Sequence, residues 1–218
     1  MITIPDVVEA LIKQSPYLED LLAQGIINYS ALARKIKPQI EQQTMKEVQE
    51  GAIVMALKRL EHKQTPYNDD FIKKVFKEAQ EIIVRSNLFD ITVKNTDYTH
   101  EHDKKILSLV DNRPNTFLTI SRSVFETTII SGNHFEKDII SMFEKKSIIT
   151  HFDNLSSITI RQPKRTTDTP GVYYMILKPL AWEGINLIEV VSTYTELTLI
   201  IKNEDTDKAF SIIKKLFT

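Results

Sequence analysis

The segment around Pro170 and Gly171 has residue types that can bind a carboxylate. Both stand where a helix is predicted to begin, so backbone N–H groups there lack partners within the helix, and the positive end of its dipole faces outward. Such a helix start binds an anion without a charged side chain, and glycine lets a ligand approach the backbone closely. Asn186 precedes a predicted strand, and its amide, which both donates and accepts, suits an α-amino or α-carboxylate group.

We therefore expect a site that holds one end of a small molecule at the helix start and the other at the strand start. The predicted ligand-binding residues are Asp168, Thr169, Gly171, Val172, Tyr173, Asn186 and Leu187. In this hypothesis Asp168 pairs with an ammonium group. The same segments also have a plain structural interpretation, because Pro-Gly commonly opens a helix and Gly184-Ile185-Asn186 is typical of a helix end followed by a turn.

The spacing of the amino-terminal helices resembles that of a helix-turn-helix module, which would place basic side chains against DNA. The predicted contacts are Lys46, Lys58, Arg59 and Lys63. Against this, residues 1–64 hold eight basic and eight acidic residues, and the stretch Lys37–Glu47 is longer than the usual tight turn. A helical domain that packs or dimerises is the alternative.

Other chemistry lacks support in the sequence. His100 and His102, two positions apart in a polar stretch, are more typical of solvated side chains than of metal ligands. The absence of Cys excludes thiolate nucleophiles and Cys-based zinc sites, and the five glycines lie too far apart for G-x-G-x-x-G or a P-loop. No Ser/His/Asp or paired-carboxylate set has a supporting context, so we expect no catalytic residue, no metal and no cofactor.

Composition narrows the class of protein. The 218 residues are 42% hydrophobic and nearly balanced in charge, with 28 Lys and Arg against 29 Asp and Glu, which excludes global disorder. A net charge of −1 disfavours a protein that coats nucleic acid non-specifically. Met1–Gln14 lacks the shape of a signal peptide and no apolar run approaches the roughly 20 residues of a membrane span. We expect a cytoplasmic protein.

Hydrophobic periodicity divides the chain near residue 81. Before it we expect helices, including Ala31–Ile36 ended by Pro38, Gln43–Lys63 with Val48, Ala52, Met55 and Leu60 on its apolar face, and Phe71–Glu81. After it, β-branched runs predict strands at Ile82–Val84, Phe89–Val93, Thr116–Ile120, Thr127–Ile130, Ser147–His151, Ile158–Ile160, Leu187–Val191 and Leu197–Ile201. Helices are predicted between them at His102–Val110, His134–Lys145, Val172–Trp182 and Asp205–Phe217.

This second region contains an internal repeat. Asp90–Asn95 matches Ser157–Gln162 at an offset of 67, and further on the offset becomes 71, which places Ile129-Ile130 on Ile200-Ile201. Each copy runs strand, helix, strand, strand, helix, which is the start of the β-α-β-β-α-β order of a ferredoxin-like unit. The second copy ends after its second helix, so we expect Ile82–Val84 to supply its last strand.

From Thr169-Pro170-Gly171-Val172-Tyr173 through Gly184-Ile185-Asn186-Leu187 to Ser192–Thr198, the sequence resembles an ACT domain, in particular the second regulatory ACT domain of aspartokinases. The resemblance implies tandem ferredoxin-like modules that bind an amino acid at an interface between modules. The sequence has no counterpart of the aspartokinase catalytic domain, since the Lys-Phe-Gly-Gly motif of that domain is absent. In the first copy, Tyr98-Thr99-His100-Glu101 stands at the Pro-Gly position without a glycine, which predicts a poorer site.

The predicted architecture is of the α+β class: a helical, helix-turn-helix-like domain over 1–81, a first ACT-like module over 82–153 and a second over 154–218. The predicted function is a non-enzymatic regulator that binds a small molecule, an amino acid, as a homodimer. The alternatives are a ligand-free structural or protein-interaction adaptor and an amino-acid-responsive DNA-binding regulator.

Overall fold

Helices form the amino-terminal part of the protein, and an antiparallel sheet with helices forms the remainder. The computed structural model describes residues 3–63, 81–111, 113 and 116–217. The chain divides into two compact units, Met1–Phe71 and Ile72–Thr218.

The first unit contains α1 (Ile4–Lys13), α2 (Pro16–Ala23), α3 (Tyr29–Thr44) and α4 (Glu50–Lys63). A reciprocal capping box between Thr3 and Asp6 starts α1. Each helix buries one apolar stripe in a shared core. Its fully or largely buried members are Val7, Val8, Ile12, Leu22, Leu32, Ala33, Ile36, Ile40, Val48, Ile53, Ala56, Leu57 and Leu60.

Pro38 does not end a helix, contrary to the prediction that Ala31–Ile36 stops there. It lies exposed inside α3, which continues to Thr44. The reason is the apolar stripe that spans the proline, since Ile36 before it and Ile40 after it are both buried in the core. Burial of that stripe outweighs the hydrogen bond that proline cannot make.

The predicted helix Gln43–Lys63 is wrong at its start and in its apolar face. Met45 takes a left-handed conformation with φ 54° and ends α3, so α4 begins only at Glu50. The buried stripe consists of Ile53, Ala56, Leu57 and Leu60, whereas Met55 is 54% exposed. Ala52 is exposed too, and Val48 is buried ahead of the helix. The helix predicted over Phe71–Glu81 lies outside the described residues, except that Glu81 begins a strand.

The sheet has six described strands in the order β2-β3-β1-β4-β6-β5, all paired antiparallel. They are β1 (Glu81–Lys94), β2 (Leu118–Arg122), β3 (Glu126–Gly132), β4 (Ile148–Arg161), β5 (Leu187–Ser192) and β6 (Glu196–Lys202). The helices between them are α5 (His100–Val110), α6 (Glu136–Ile140), α7 (Val172–Trp182) and α8 (Thr206–Lys215). The second unit is therefore a mixed α and β fold.

Two pairs of predicted strands are in fact single long strands. Ile82–Val84 and Phe89–Val93 both belong to β1, and Ser147–His151 and Ile158–Ile160 both fall in β4, which starts one residue later. The polar residues between the runs indicated breaks, but Asn87 and Asn154 adopt positive φ values of 60° and 51° there. An asparagine in this conformation makes a local irregularity without ending the strand.

Ile82–Val84 pairs with Ile158–Ile160 in β4, as predicted for the missing last strand of the second copy. The symmetric pairing occurs in the first copy, where Thr150–Phe152 of β4 pairs with Asp90–Thr92 of β1. Each half of the sheet thus takes its fourth strand from the long first strand of the other half.

The repeat offset of 71 is wrong by one residue in the second hairpin. Thr128 of β3 hydrogen-bonds to Thr92, and Thr198 of β6 makes the equivalent 2.8 Å bond to Thr159, which gives an offset of 70. A slip by one residue would move each side chain to the opposite face of the sheet. The corrected match places Ile130 on Ile200, and both lie in the same apolar cluster.

The predicted helix His134–Lys145 is also too long. α6 covers only Glu136–Ile140, and single 3-10 turns at Asn133–Phe135 and Lys145–Ser147 flank it. In contrast, α7 begins and ends where the sequence predicts.

The sheet buries apolar residues on both of its faces. One face packs against helices in two clusters, which are centred on Ile176 of α7 and on Ile106 of α5. On the other face, residues from both halves form one smaller cluster: Leu88, Ile130, Leu155 and Ile200, with Phe117, Ile188 and Val191 at its margin.

Candidate ligand site

The loop from β4 to α7 builds the candidate site. A 3-10 turn at Lys164–Asp168 folds the loop back, and the N–H of Thr169 donates to the carbonyl of Thr166 at 3.1 Å. Gly171 then starts α7 with a φ of 89°, a left-handed conformation that favours glycine. The backbone requirement at this position explains why a glycine stands there.

A cavity of about 410 Å³ lies at this helix start. Its lining residues are Thr166, Thr167, Thr169, Gly171, Val172, Tyr173 and Tyr174. The volume is within the range of small-molecule sites. Three threonines, a glycine backbone and two phenol rings line it, so the cavity presents uncharged hydrogen-bonding groups.

Hydrogen-bond donors are concentrated at the cavity. No described side chain caps the first turn of α7, which leaves its N–H groups directed out of the helix. Thr166 is 7% exposed, and its hydroxyl lacks a hydrogen-bond partner among the described residues. The amide nitrogen of Gln162, in the same loop but not among the lining residues, also lacks one. Donors around an uncharged cavity favour an anionic group such as a carboxylate.

The other polar groups of the cavity are held within the chain. The Thr169 hydroxyl donates to the carbonyl of Arg165 at 2.9 Å. The hydroxyl of Tyr173, itself 43% exposed, lies 2.9 Å from the hydroxyl of Ser192 in β5. The Tyr173 ring is therefore fixed between the helix start and the neighbouring strand.

Four of the seven predicted ligand residues line this cavity: Thr169, Gly171, Val172 and Tyr173. Val172 points into the core and is 2% exposed, so its contribution is its backbone. Asp168 is exposed in the loop, Asn186 is exposed ahead of β5, and Leu187 packs against the core; none of the three lines the cavity.

Thr166, Thr167 and Tyr174 are lining residues that the sequence analysis missed. The available signal was the polar loop Gln162–Thr169, which is longer than its counterpart in the first copy of the repeat. Threonines that follow a basic pair carry no pattern that distinguishes a lining role from a solvated loop.

The start of α5, the counterpart in the first half, is capped by its own side chains. The His102 Nδ1 atom accepts from the backbone N–H of Thr99 at 3.0 Å. The His102 ring stacks on Phe143 with centroids 4.7 Å apart, and on Tyr98 at 5.6 Å. Burial raises the pKa of Tyr98, whose hydroxyl donates to Asp103. The prediction that this copy is the poorer site stays a prediction.

The side chains of His100 and His102 lie in different surroundings. The side chain of His100 is 92% exposed, whereas His102 faces the Phe143 ring. Within the described ranges, no group of three or more His, Cys, Asp or Glu residues could hold a metal ion.

Asp90, on β1, is a buried carboxyl on the sheet face turned away from the helices. It is 1% exposed, lies opposite Ile130 in the register, and its Oδ2 atom lacks a partner among the described residues. Burial, followed by repulsion from Glu189 of β5, raises the pKa of Asp90 to about 7, while His151 lowers it slightly. Burial also raises the pKa of Glu189. A carboxylate from the other half thus opposes the ionisation of Asp90, whereas the repulsion that raises the pKa of Glu189 comes from Glu126.

Three of the predicted DNA contacts, Lys46, Lys58 and Arg59, are exposed in the helical unit, and the side chain of Lys63 lies outside the described residues. The ammonium of Lys58 lies 6.0 Å from the centre of the Tyr29 ring. The stretch between α3 and α4 is Met45–Gln49, shorter than predicted. DNA binding stays a prediction. In the described part of the chain, no helix is long and apolar enough to cross a membrane.

Comparison with known proteins identifies the fold of the sheet unit. No protein-family model and no curated protein matches the sequence. Among solved structures, aspartate kinase from Clostridium acetobutylicum matches with a TM-score of 0.51 and 15% identity, over 64% of this chain and 35% of that chain.

Two further solved structures cover nearly the whole of their own chains. The aspartokinase alpha and beta subunits match with a TM-score of 0.49 and 16% identity, over 64% of this chain and 98% of that one. The ligand-free regulatory subunit of aspartate kinase from Thermus thermophilus gives 0.49 and 13%, with the same coverage. The chain thus spans about a third of the length of the kinase and almost all of a regulatory subunit. The matched part of this chain shares its ACT-like fold with aspartate kinase, as the sequence resemblance indicated.

Proposed function

We propose that this protein is a non-catalytic regulator that binds a small molecule, an amino acid, in the cavity at the start of α7. The observation that carries the proposal is the glycine-capped helix start beside the Thr166 hydroxyl, which has no hydrogen-bond partner among the described residues. An α-carboxylate on the helix N–H groups would satisfy these donors. The fold shared with aspartokinase regulatory regions supports a regulatory role.

In this proposal the two halves of the sheet are ACT-like modules, approximately 82–153 and 154–218. Asn186 and Leu187 belong to the neighbouring strand start, and Asp168 to the loop, so they reach a ligand only where two modules meet. β2 and β5 are the outer strands of the sheet, and pairing of either strand with a second copy would form the proposed homodimer.

Regulation then follows from differential affinity. An amino acid that binds one conformation of the protein more tightly than another shifts the population toward the tighter-binding conformation. The shift in free energy cannot exceed the difference between the two binding free energies. The effect would reach the rest of the protein through the loop and β5, because Tyr173 connects the cavity to Ser192.

A thermal-shift screen of the twenty amino acids tests the proposal on the full chain. A ligand at 100 times its Kd stabilises the folded protein by about 2.7 kcal/mol. Stabilisation by one amino acid that is lost in Thr166→Val but kept in Thr150→Val, an exposed threonine of β4 that does not line the cavity, is the expected result. No shift with any amino acid would favour the ligand-free adaptor.

A further inference from the structure

A second cavity, of about 450 Å³, lies where β1 changes register, away from the site at α7. Its lining comes from β1, the segment before β2 and the end of β3: Arg85, Ser86, Asn87, Leu88, Arg113, Thr116, Phe117, Gly132 and His134. The described lining includes two guanidinium groups and an imidazole, and no carboxylate. It also includes the hydroxyls of Ser86 and Thr116.

Two of the three basic groups, Arg113 and His134, rest on a shared buried ring. The guanidinium of Arg113 lies 4.9 Å from the centre of the Phe135 ring, and the imidazole of His134 lies 3.9 Å from it. Phe135 is 2% exposed in the core beneath. Two donor groups that rest on one fixed ring lose little conformational freedom when they bind a ligand.

Gly132 allows His134 to take its position. A Cβ atom at this residue would come within 2.6 Å of the imidazole Cε1, so the ring packs directly against the glycine. A side chain there would displace the imidazole from the cavity.

The internal repeat supplies a comparison. An equivalent cavity of about 280 Å³ lies at the register change of β4. There, Asp153 occupies the position of Ser86 and Glu204 that of His134, beside Lys202. The charges in this second cavity are mixed, so the basic character belongs to the first half alone.

We propose that the cavity lined by Arg85, Arg113 and His134 binds the phosphate group of a small molecule. Guanidinium groups bind phosphate through paired hydrogen bonds, and an imidazole donates at least one N–H in either protonation state. Donors that come from three separate segments suit a tetrahedral dianion better than a planar carboxylate. Leu88 and Phe117 give the cavity an apolar wall for the body of an organic phosphate.

The test is a titration of the full chain with inorganic phosphate at pH 8, at constant ionic strength, followed by calorimetry and by the phosphorus NMR signal. We expect saturable binding that weakens at least about tenfold in Arg113→Gln, because a charged hydrogen bond contributes about 1.5–3 kcal/mol. Arg113 is exposed, so its replacement spares the core, and thermal unfolding of the variant checks this.

Lys202→Gln is the matched control, since it removes a cation from the equivalent cavity, and it should retain the affinity within twofold. Thr166→Val should retain it too, which separates this site from the amino-acid site. An Arg113→Gln variant that binds phosphate as the parent does, an equal loss in Lys202→Gln, or no saturable binding would overturn the proposal. A parallel titration with phenyl phosphate distinguishes the sources: tighter binding than inorganic phosphate assigns an organic phosphate, and equal binding assigns the free ion.

Discussion

Asn87 and Asn154 lie 67 residues apart and both adopt left-handed backbone conformations, each at the register change of a fourteen-residue strand. The same offset relates the two strands that contain them. The two asparagines therefore occupy equivalent positions of the repeat, and one structural device is used twice: an asparagine that lets a long strand change register and serve both halves of the sheet.

Replacing either asparagine by valine should lower the free energy of unfolding by about 1–2 kcal/mol, because a β-branched residue is strained at positive φ. Asn87→Gly and Asn154→Gly are the controls and should change the free energy of unfolding by only a small fraction of that amount, because glycine tolerates positive φ. Urea denaturation followed by circular dichroism measures the difference. A valine variant as stable as its glycine counterpart would contradict the assigned conformation.

Asp90 should make stability depend on pH. Its folded pKa of about 7 is higher than the ordinary value of 3.8, so the folded state binds more protons between these pH values. The contribution of Asp90 to stability should be greatest below pH 4 and should fall as the pH rises toward 7. At about 1.36 kcal/mol per pKa unit, the loss is at most about 4 kcal/mol.

Asp90→Asn should remove this contribution and raise the free energy of unfolding at pH 8 relative to the parent. The exposed Asp168→Asn serves as the control, because it removes one carboxylate from the surface rather than from the buried face of the sheet. Unfolding midpoints between pH 4 and pH 8 give the comparison. If the stability of the parent rises with pH through this window and Asp90→Asn gives the same profile, the Asp90 carboxylate does not destabilise the folded protein.

Thr166→Val should act in opposite directions on stability and on binding. Removing a buried hydroxyl that has no partner in the described part of the chain should leave the unliganded protein equally stable or more stable, by up to about 1–2 kcal/mol. Amino-acid binding should weaken at the same time. Thermal unfolding with and without the amino acid measures both quantities, and a destabilised but fully binding variant would argue that this hydroxyl is structural.

Pro38→Ala should stabilise the helical unit. The residue is exposed within α3, and alanine restores a backbone donor and relieves the clash with the preceding turn. We expect a gain of about 1–3 kcal/mol in the free energy of unfolding. Pro163→Ala, in the loop after β4, is the comparison and should bring no such gain. Urea unfolding monitored at helical wavelengths decides between them.

The elements that the sequence predicts correctly are those with strong local signals. The helix Val172–Trp182 has a glycine at its start and another after its end, and both its bounds were predicted. In α3, by contrast, the local effect of Pro38 competes with burial of Ile36 and Ile40, and the distant packing prevails.

The repeat shows a similar limit. Identical letters placed Ile129-Ile130 on Ile200-Ile201, but runs of branched apolar residues match almost as well when shifted by one. Hydrogen bonds between threonines, such as Thr92 to Thr128, fix the register, and these depend on pairing that a linear comparison does not contain. The candidate site was located in part for the same reason: Gly171 has a local signal, whereas Thr166 reaches the cavity only through the fold of its loop.

Because β1 and β4 each contribute to both halves of the sheet, neither half is complete without a strand from the other. A lone repeat would hold three strands of its own and an extended arm, and would complete its sheet by exchanging that arm with another molecule. Joining two such repeats end to end converts an exchange between molecules into one within a single polypeptide. Scission in the turn Lys145–Ser147, just before β4, would therefore release two fragments that refold by reassociating, because each holds the arm that completes the other's sheet.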